Sequence, residues 1–375
     1  MAVLLRPFTI LHTIETSGPG GAETVILELA SSLDRSRFRS IVLLPPGHWL
    51  PQALREREVR TIEAKSSAWY DPHVFRVMVG LIVKEKVDLI HSHLPDQNFY
   101  SCIAGVLTRR KTIVTYHGAQ PFTGGGGARR AFKTWVVQRT ASSVVVVSDY
   151  LKNLLAEAGF KRERLVRIYN GVNLSRFAGP PRGCLRTELH CPPECRLIGM
   201  VANMRQSKGY EYFVKAARIV KDSFPQAHFV VVGELEGRIV NQMRALMKDL
   251  NLEDHFSLLG FRGDVPQILA DLDVFVLSSV SEGLSIATIE AMAAGRPVVV
   301  TRSGGPQEII EDRRTGLLVP PGDASALASG ICEVLASSEL ASALGRNAQM
   351  LVEGKFSLKN MISSYESLYE RCLLS

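Results

Sequence analysis

Short β-branched runs bounded by turn residues alternate with stretches of helical spacing along almost the whole chain, and this alternation restricts the possible folds more than any other feature. In the first half, Phe8–Thr13, Ser40–Leu44, Val87–His91, Thr112–Tyr116 and Ser143–Val147 read as strands, with helical patterns such as Glu23–Leu33 between them. Strands separated by helices pair in parallel through right-handed crossovers, which gives a doubly wound sheet. The pattern dissolves between about Asn173 and Pro193, where Gly179-Pro180-Pro181 and Cys191-Pro192-Pro193 break it. It resumes with strands at Leu197–Ala202, Phe229–Val232, Phe256–Leu259, Val274–Leu277 and Pro297–Thr301. At 375 residues the chain exceeds what one core usually supports. The expected architecture is therefore α/β: a first Rossmann-like domain over 1–175, a linker over 176–195, and a second Rossmann-like domain over 196–357, the two facing across a cleft at the carboxyl ends of their strands. A terminal helix is expected over Leu358–Leu374, with a docking site that periodicity does not reveal.

Composition narrows the setting. No apolar stretch reaches the length needed to cross a bilayer, and Met1–Leu11 reads as a first strand rather than a signal peptide, so a cytoplasmic location is expected. Six cysteines are too sparse for a disulfide framework. Cys184, Cys191 and Cys195, with His190 among them, lack the paired C-x-x-C spacing of a zinc site and read as linker. Charge is uneven: residues 1–175 hold 23 Lys and Arg against 14 Asp and Glu, and residues 176–375 hold 21 against 23. The basic half either faces an anionic partner, such as a membrane surface or a phosphorylated acceptor, or is a solvated basic surface.

The strongest chemical signal is Ser281-Glu282-Gly283-Leu284-Ser285-Ile286-Ala287-Thr288-Ile289-Glu290. A strand ends before it and a helix opens near Ser285, so the free amides of the helix N-terminus form an anion site that Gly283, Leu284 and Ser285 can present to a phosphate. Glu282 on the loop and Glu290 inside the helix reach different parts of one ligand. A second anion site follows the strand at Leu197–Ala202, where Arg205 can fork onto phosphate oxygens and Lys208 can add a point charge. Two cations and two helix ends suit a diphosphate and supply countercharge that a divalent metal often provides. Gly18, Gly20 and Gly21 form a Gly-rich turn after the first strand. Glu23 occupies the last position of the dinucleotide fingerprint, which weakens that reading. His93 and His117 end strands on the cleft side. Asp271-Leu272-Asp273 stands at a helix-to-strand junction and reads as turn and cap rather than metal ligands.

Taken together, Gly20-Gly21-Ala22-Glu23, His117-Gly118, Asn170-Gly171-Val172, Arg205 with Lys208-Gly209, Glu282-Gly283 with seven residues between Glu282 and Glu290, Gly304-Gly305 and Gly316-Leu317-Leu318-Val319 resemble the family 4 glycosyltransferases, over nearly the whole chain. The resemblance implies a GT-B fold and retaining transfer from a UDP- or GDP-sugar without a metal or other cofactor. It assigns the ribose to Glu290, the donor sugar to Glu282 and His117, the diphosphate to Arg205 and Lys208, and the reaction centre to Gly20 and Gly21. Gly233 and Arg262 are expected on the nucleoside side, and Gly20, His93, Arg129 and Arg130 on the acceptor side. It also implies that helix 358–375 packs back on the first domain. Gly304-Gly305-Pro306 carries its proline one place earlier than the commonest family form.

Nothing in the sequence offers a nucleophile aimed at a sugar carbon, so front-face substitution is expected, with the donor phosphate taking the acceptor proton. The acceptor is expected to be a saccharide or lipid-linked hydroxyl in bacterial cell-surface polysaccharide or glycoconjugate synthesis. The segment from Gly124–Gly127 to Arg139, with Arg129, Arg130, Phe132, Lys133 and Trp135, either rests at a lipid interface or buries its aromatic side chains against the sheet. A nucleotide-sugar epimerase, a sugar phosphorylase and a non-catalytic nucleotide- or glycan-binding protein are the alternatives. A nucleic-acid ligand fits least, because both phosphate sites lie in the acidic half.

Overall fold

The computed structural model describes residues 6–65, 72–119, 127–179 and 183–374. The chain forms two compact units, residues 1–170 with 359–375, and residues 171–358. The first is built on seven parallel strands: Phe8–Thr13 (β1), Phe38–Leu44 (β2), Arg60–Glu63 (β3), Leu89–His93 (β4), Lys111–Tyr116 (β5), Ser143–Val146 (β6) and Leu165–Arg167 (β7), in the order β3-β2-β1-β4-β5-β6-β7. Both faces are covered by helices, so the strands are apolar on both sides. Leu11, Ile41, Leu43 and Ile90 pack with Met78 and Ile82 on one face, while Val42 and Leu44 pack with Ile26, Leu50 and Leu54 on the other. The strands that sequence patterning misses, β3 and β7, are the two edges, short and partly exposed, where an apolar run is not required.

The helix Leu358–Leu374 belongs to this first unit from Lys359 onward. It buries Tyr365 and Tyr369 completely, and Arg37 pairs with Glu366 at 3.1 Å and with Glu370. The periodicity of Met361, Tyr365 and Leu368 marks its buried stripe.

The second unit has six parallel strands: Arg196–Val201 (β8), Ala227–Val232 (β9), Phe256–Leu258 (β10), Val274–Leu277 (β11), Val298–Thr301 (β12) and Leu317–Val319 (β13), in the order β10-β9-β8-β11-β12-β13. The expected linker over 176–195 requires correction. The boundary falls at Asn170-Gly171, and residues 184–188 form a short helix of the second unit. Asp271 holds that helix by accepting from the amides of Gly183 at 2.9 Å and Leu185 at 2.8 Å, and Asp273 accepts from Arg186 and from the Leu197 amide. Breaker residues announce irregular backbone, and that backbone is nevertheless packed.

In both sheets the chain runs outward to one edge and then returns to the other side of its starting strand. The crossover direction reverses between β1 and β4 in the first unit and between β8 and β11 in the second. Adjacent loops diverge at such a point and leave a crevice at the strand ends, where open α/β sheets take their ligands.

Candidate active site

The loops that follow β8 and β11 carry the two strongest sequence signals, and the topology sets them side by side at the switch point of the second unit. Lys208 Nζ donates to Glu282 Oε2 across the crevice, both side chains being largely buried. The Ser279 hydroxyl donates to the same carboxylate oxygen at 3.4 Å. Backbone contacts fix the two loops together: Val280 N–H donates to Ser207 O at 2.8 Å, and Ser278 Oγ donates to Lys208 O at 3.0 Å. Gly209 has φ +62°, and a Cβ there would lie 2.2 Å from Ser278 O, so both its conformation and its clearance require glycine.

Glu282 is also tied to the loop after β12. Its N–H donates to Ser303 O at 2.9 Å, and its carbonyl accepts from Gly305 N–H at 3.0 Å. Gly305 approaches Gly283 so closely that a Cβ would lie 1.8 Å from Gly283 O. The helix Ile286–Ala293 begins immediately beyond, capped by Ser285 Oγ, which accepts from Thr288 N–H at 3.2 Å. Gly283, Leu284 and Ser285 are buried at its start, and Glu290 is half-buried within it. Arg205 is exposed and makes no ion pair among the described residues. Such a site presents two cations, a helix N-terminus and a carboxylate, a set suited to a phosphorylated, hydroxyl-bearing ligand.

Gly233 lies on the loop after β9 with φ +147°, beneath Ala202 O. Beside it, Asn203 Oδ1 accepts from Glu234 N–H at 3.0 Å and so fixes the β8 loop to the β9 loop, a contact absent from the sequence reading. Arg262 departs from expectation. Its guanidinium donates to Asp264 at 2.8 and 2.7 Å and to Glu188 at 2.7 and 3.1 Å, which secures the β10 loop to the short 184–188 helix. With four charge-assisted bonds already made, it is a structural group rather than a free nucleoside contact.

In the first unit, His117 is half-buried and its Nε2 lies 3.0 Å from His93 Nδ1. Burial lowers the His117 pKa to about 4, so the imidazole is neutral near pH 7. His93 is fully buried beneath it, which corrects its expected place on the acceptor surface: it can act on a ligand only through His117. His12 and His91 complete a buried cluster, with ring centroids of His91 and His93 4.2 Å apart and of His12 and His91 5.6 Å apart. Nitrogens of His12, His91 and His93 fall within 4.8 Å of one another, a spacing a metal ion could use, yet both His91 nitrogens are engaged, one by Tyr369 Oη at 2.6 Å and one by Thr115 Oγ1 at 2.8 Å.

Gly20 and Gly21 open the helix Gly21–Ser32, and Glu23, the residue that spoils the dinucleotide fingerprint, is buried and accepts from Thr16 Oγ1. Glu15 was missed. It stands two residues beyond the end of β1, and its Oε2 accepts from Gln97 N–H at 2.7 Å across the first unit's switch point. Position at a strand's carboxyl end was the available signal.

Arg129 is exposed and Arg130 half-buried on the helix Gly127–Thr140; residues 124–126 of the preceding Gly run lie outside the described residues. Phe132 and Trp135 are 55% and 52% exposed and stack on each other, whereas Val136 and Val137 face inward. Lys133 is buried and pairs with Asp96 at 2.5 Å. No single helix among the described residues is long and apolar enough to cross a membrane.

Comparison with known proteins agrees with both units. Residues 19–176 match the family model "Glycosyltransferase Family 4", and residues 185–350 match "Glycosyl transferases group 1". The chain is 25% identical over 335 residues to the Escherichia coli UDP-Gal:alpha-D-GlcNAc-diphosphoundecaprenol alpha-1,3-galactosyltransferase, covering 87% of this chain and 86% of that one. It is also 25% identical to the lipopolysaccharide core biosynthesis glycosyltransferase LpsE of Rhizobium meliloti, covering 93% and 95%. Among solved structures, Anabaena HepE in complex with UDP and glucose superposes with a TM-score of 0.89 at 22% identity, over 97% of this chain and 100% of that one, and shows the fold to be GT-B.

Proposed function

The chain belongs to the family 4 glycosyltransferases, and from that premise we propose that it transfers a sugar, with retention and without a metal, from a UDP- or GDP-sugar to a hydroxyl of a saccharide or lipid-linked acceptor in bacterial polysaccharide or glycoconjugate synthesis. The observation that carries this reading is the Lys208–Glu282 contact beside the capped helix N-terminus at the second unit's switch point. Arg205, Lys208 and the amides following Gly283 would hold the diphosphate, Glu290 the ribose and Glu282 the donor sugar. Charge that builds on the leaving diphosphate would meet fixed donors that need no reorganisation. Relatives named for transfer to a diphosphoundecaprenol-linked sugar and for lipopolysaccharide synthesis support an acceptor of that class.

The test is a panel of UDP- and GDP-sugars, first by thermal shift, where a ligand at a hundred times its dissociation constant stabilises by about 2.7 kcal/mol. The stabilising donor is then assayed with a prenyl diphosphate-linked sugar in EDTA. Undiminished transfer in the chelator is expected, with the donor's anomeric configuration in the product by NMR. Loss in EDTA restored by Mg²⁺ would exclude the metal-free mechanism, and an inverted linkage would exclude retention.

A lipid-linked acceptor also calls for contact with the cytoplasmic membrane face, and the exposed Phe132–Trp135 stack beside Arg129 and Arg130 supports a peripheral one. Co-sedimentation with anionic vesicles should exceed that with neutral ones and fall with salt. Replacing Phe132 and Trp135 with Ser, or Arg129 and Arg130 with Gln, should weaken it, with Lys133 left intact because its ion pair is internal. Equal binding to both vesicle types at low salt would remove the membrane from the proposal.

A further inference from the structure

A cavity of about 280 Å³ opens at the switch point of the first unit. It is lined by Ile14 and Glu15 after β1, by Leu43, Leu44 and Pro45 at the end of β2, by Ala64 and Val74, and by Asp96, Gln97 and Tyr100 at the start of the helix Pro95–Thr108. The volume lies near the lower end for small-molecule sites, which suits one sugar ring rather than a nucleotide. Among the described residues its walls are largely aliphatic with one aromatic ring, and the contact of Glu15 with the Gln97 amide gathers its polar groups at one end.

That end is constructed. Leu94, between β4 and the helix, has φ 71° and ψ 152°, a backbone conformation that a residue with a side chain rarely holds without a local reason. The turn brings the first amides of the helix onto Glu15, whose Oε2 accepts from Gln97 N–H at 2.7 Å, with the Asp96 amide contributing as well. Two amides occupy about half of the carboxylate's acceptor positions, and the others remain for a ligand. Burial pushes the Glu15 carboxyl up to about 7, so near neutral pH it can accept a hydrogen bond or donate one. Asp96, the second carboxylate, turns to Lys133 Nζ at 2.5 Å. Among the described residues the lining contains two acids, Glu15 and Asp96, and no Lys, Arg or His, with Lys133 reaching Asp96 from outside it.

We propose that this cavity is a subsite for one uncharged pyranose ring of the acceptor, held by Glu15 through its hydroxyls and closed to uronic acids and sugar phosphates. Hydroxyls donate to the carboxyl end, and the apolar face of the ring lies along Leu44, Val74 and Tyr100. Lys133 already answers Asp96, so an anionic sugar would set its charge against the buried Glu15 carboxyl with no further cation among the described lining residues to meet it. Any phosphate on the acceptor therefore lies outside the cavity, and the basic surface of this unit serves that part or the membrane rather than the sugar. The inference rests on the glycosyltransferase reading above and adds the acceptor's class to it.

The experiment is methyl NMR on the full chain labelled at Leu, Val and Ala, with UDP saturating. The probes are methyl glycosides of glucose, galactose and N-acetylglucosamine, with glucuronic acid and glucose 6-phosphate as the anionic arm. At least one neutral glycoside should shift the methyls of Leu43, Leu44, Ala64 and Val74 saturably, and the anionic sugars should bind at least tenfold more weakly. Glu15→Gln should weaken the neutral glycoside by about tenfold, the scale of one hydrogen bond to a charged group. Val74→Trp should abolish these shifts while leaving the thermal shift with UDP. Silent methyls at tens of millimolar glycoside, or equal binding of the anionic sugars, would overturn the subsite. If UDP and the nucleotide sugars also fail to stabilise the protein, the failure belongs to the glycosyltransferase reading; if the donor binds and the methyls stay silent, it belongs to this inference alone.

Discussion

Arg205→Ala is expected to lower transfer by roughly ten- to a thousandfold with unchanged thermal unfolding, and Lys208→Ala to lower it at least as far. In the proposed function both cations would face the place where a diphosphate gains charge as the sugar leaves, so their worth would grow toward the transition state and appear in kcat. Arg205 is exposed and makes no ion pair among the described residues, so its removal takes away one interaction and little else. Lys208 differs because it holds the largely buried carboxylate of Glu282. Its loss leaves that acid with Ser279 as its side-chain hydrogen-bond partner among the described residues, which would disturb the proposed donor-sugar contact as well as the phosphate contact. Arg205→Lys should recover part of the activity by charge while losing the forked geometry. The decisive measurements are kcat and KM for the donor, with circular dichroism melts as the folding control. Wild-type kcat in either alanine variant would remove the diphosphate from this site.

How much of this could be read in advance depended on how locally each feature is encoded. A central strand carries its signature in its own residues, so β1, β5, β8 and β11 are visible as apolar runs, whereas the edges β3, β7 and β13 are not. The Lys208 and Glu282 loops were legible because a strand, a short loop and a helix start are all local. That they touch is not local: they lie 74 residues apart and meet because the strand order puts β8 beside β11. The same separation hid the role of Arg262, whose partner Glu188 sits in a segment that Gly and Pro made look like a linker. His93 and His117 share a strand-end position in sequence. Only packing shows that one is buried under the other. Glu15 carried a positional signal but no motif, and its partner Gln97 is 82 residues away.

Acidification from pH 7.5 to 5.5 should destabilise the first unit, the balance of two opposed proton-linked effects. His12, His91, His93 and His117 are held neutral by burial, His12 at about 3 and His117 at about 4, and the other two well below the ordinary 6.5. His12 finds no hydrogen-bond partner at either ring nitrogen among the described residues, so nothing offsets the cost of charging it in place. A lowered folded-state pKa means that the unfolded chain binds the proton first, so the stability these groups confer is full above 6.5 and is lost as pH falls toward their folded values. Between pH 7.5 and 5.5 His12 and His117 each cost on the order of 1 kcal/mol, and His91 and His93 act in the same direction. Glu15 acts in the opposite direction: a carboxyl raised to about 7 favours the folded state as pH falls through 7, and returns about 2 kcal/mol over the same interval. The imidazoles win by number. The second unit contains no tryptophan in its sequence and the first contains Trp49 and Trp135, so the urea midpoint from tryptophan fluorescence reads the first unit rather than the other. The midpoint should drop on acidification with an unchanged slope, and should drop further in Glu15→Gln, where the compensating proton is gone. A midpoint independent of pH in the wild-type protein would mean that the buried imidazoles titrate as they do in the unfolded chain, and a Glu15→Gln curve parallel to wild type would place the Glu15 carboxyl at an ordinary pKa.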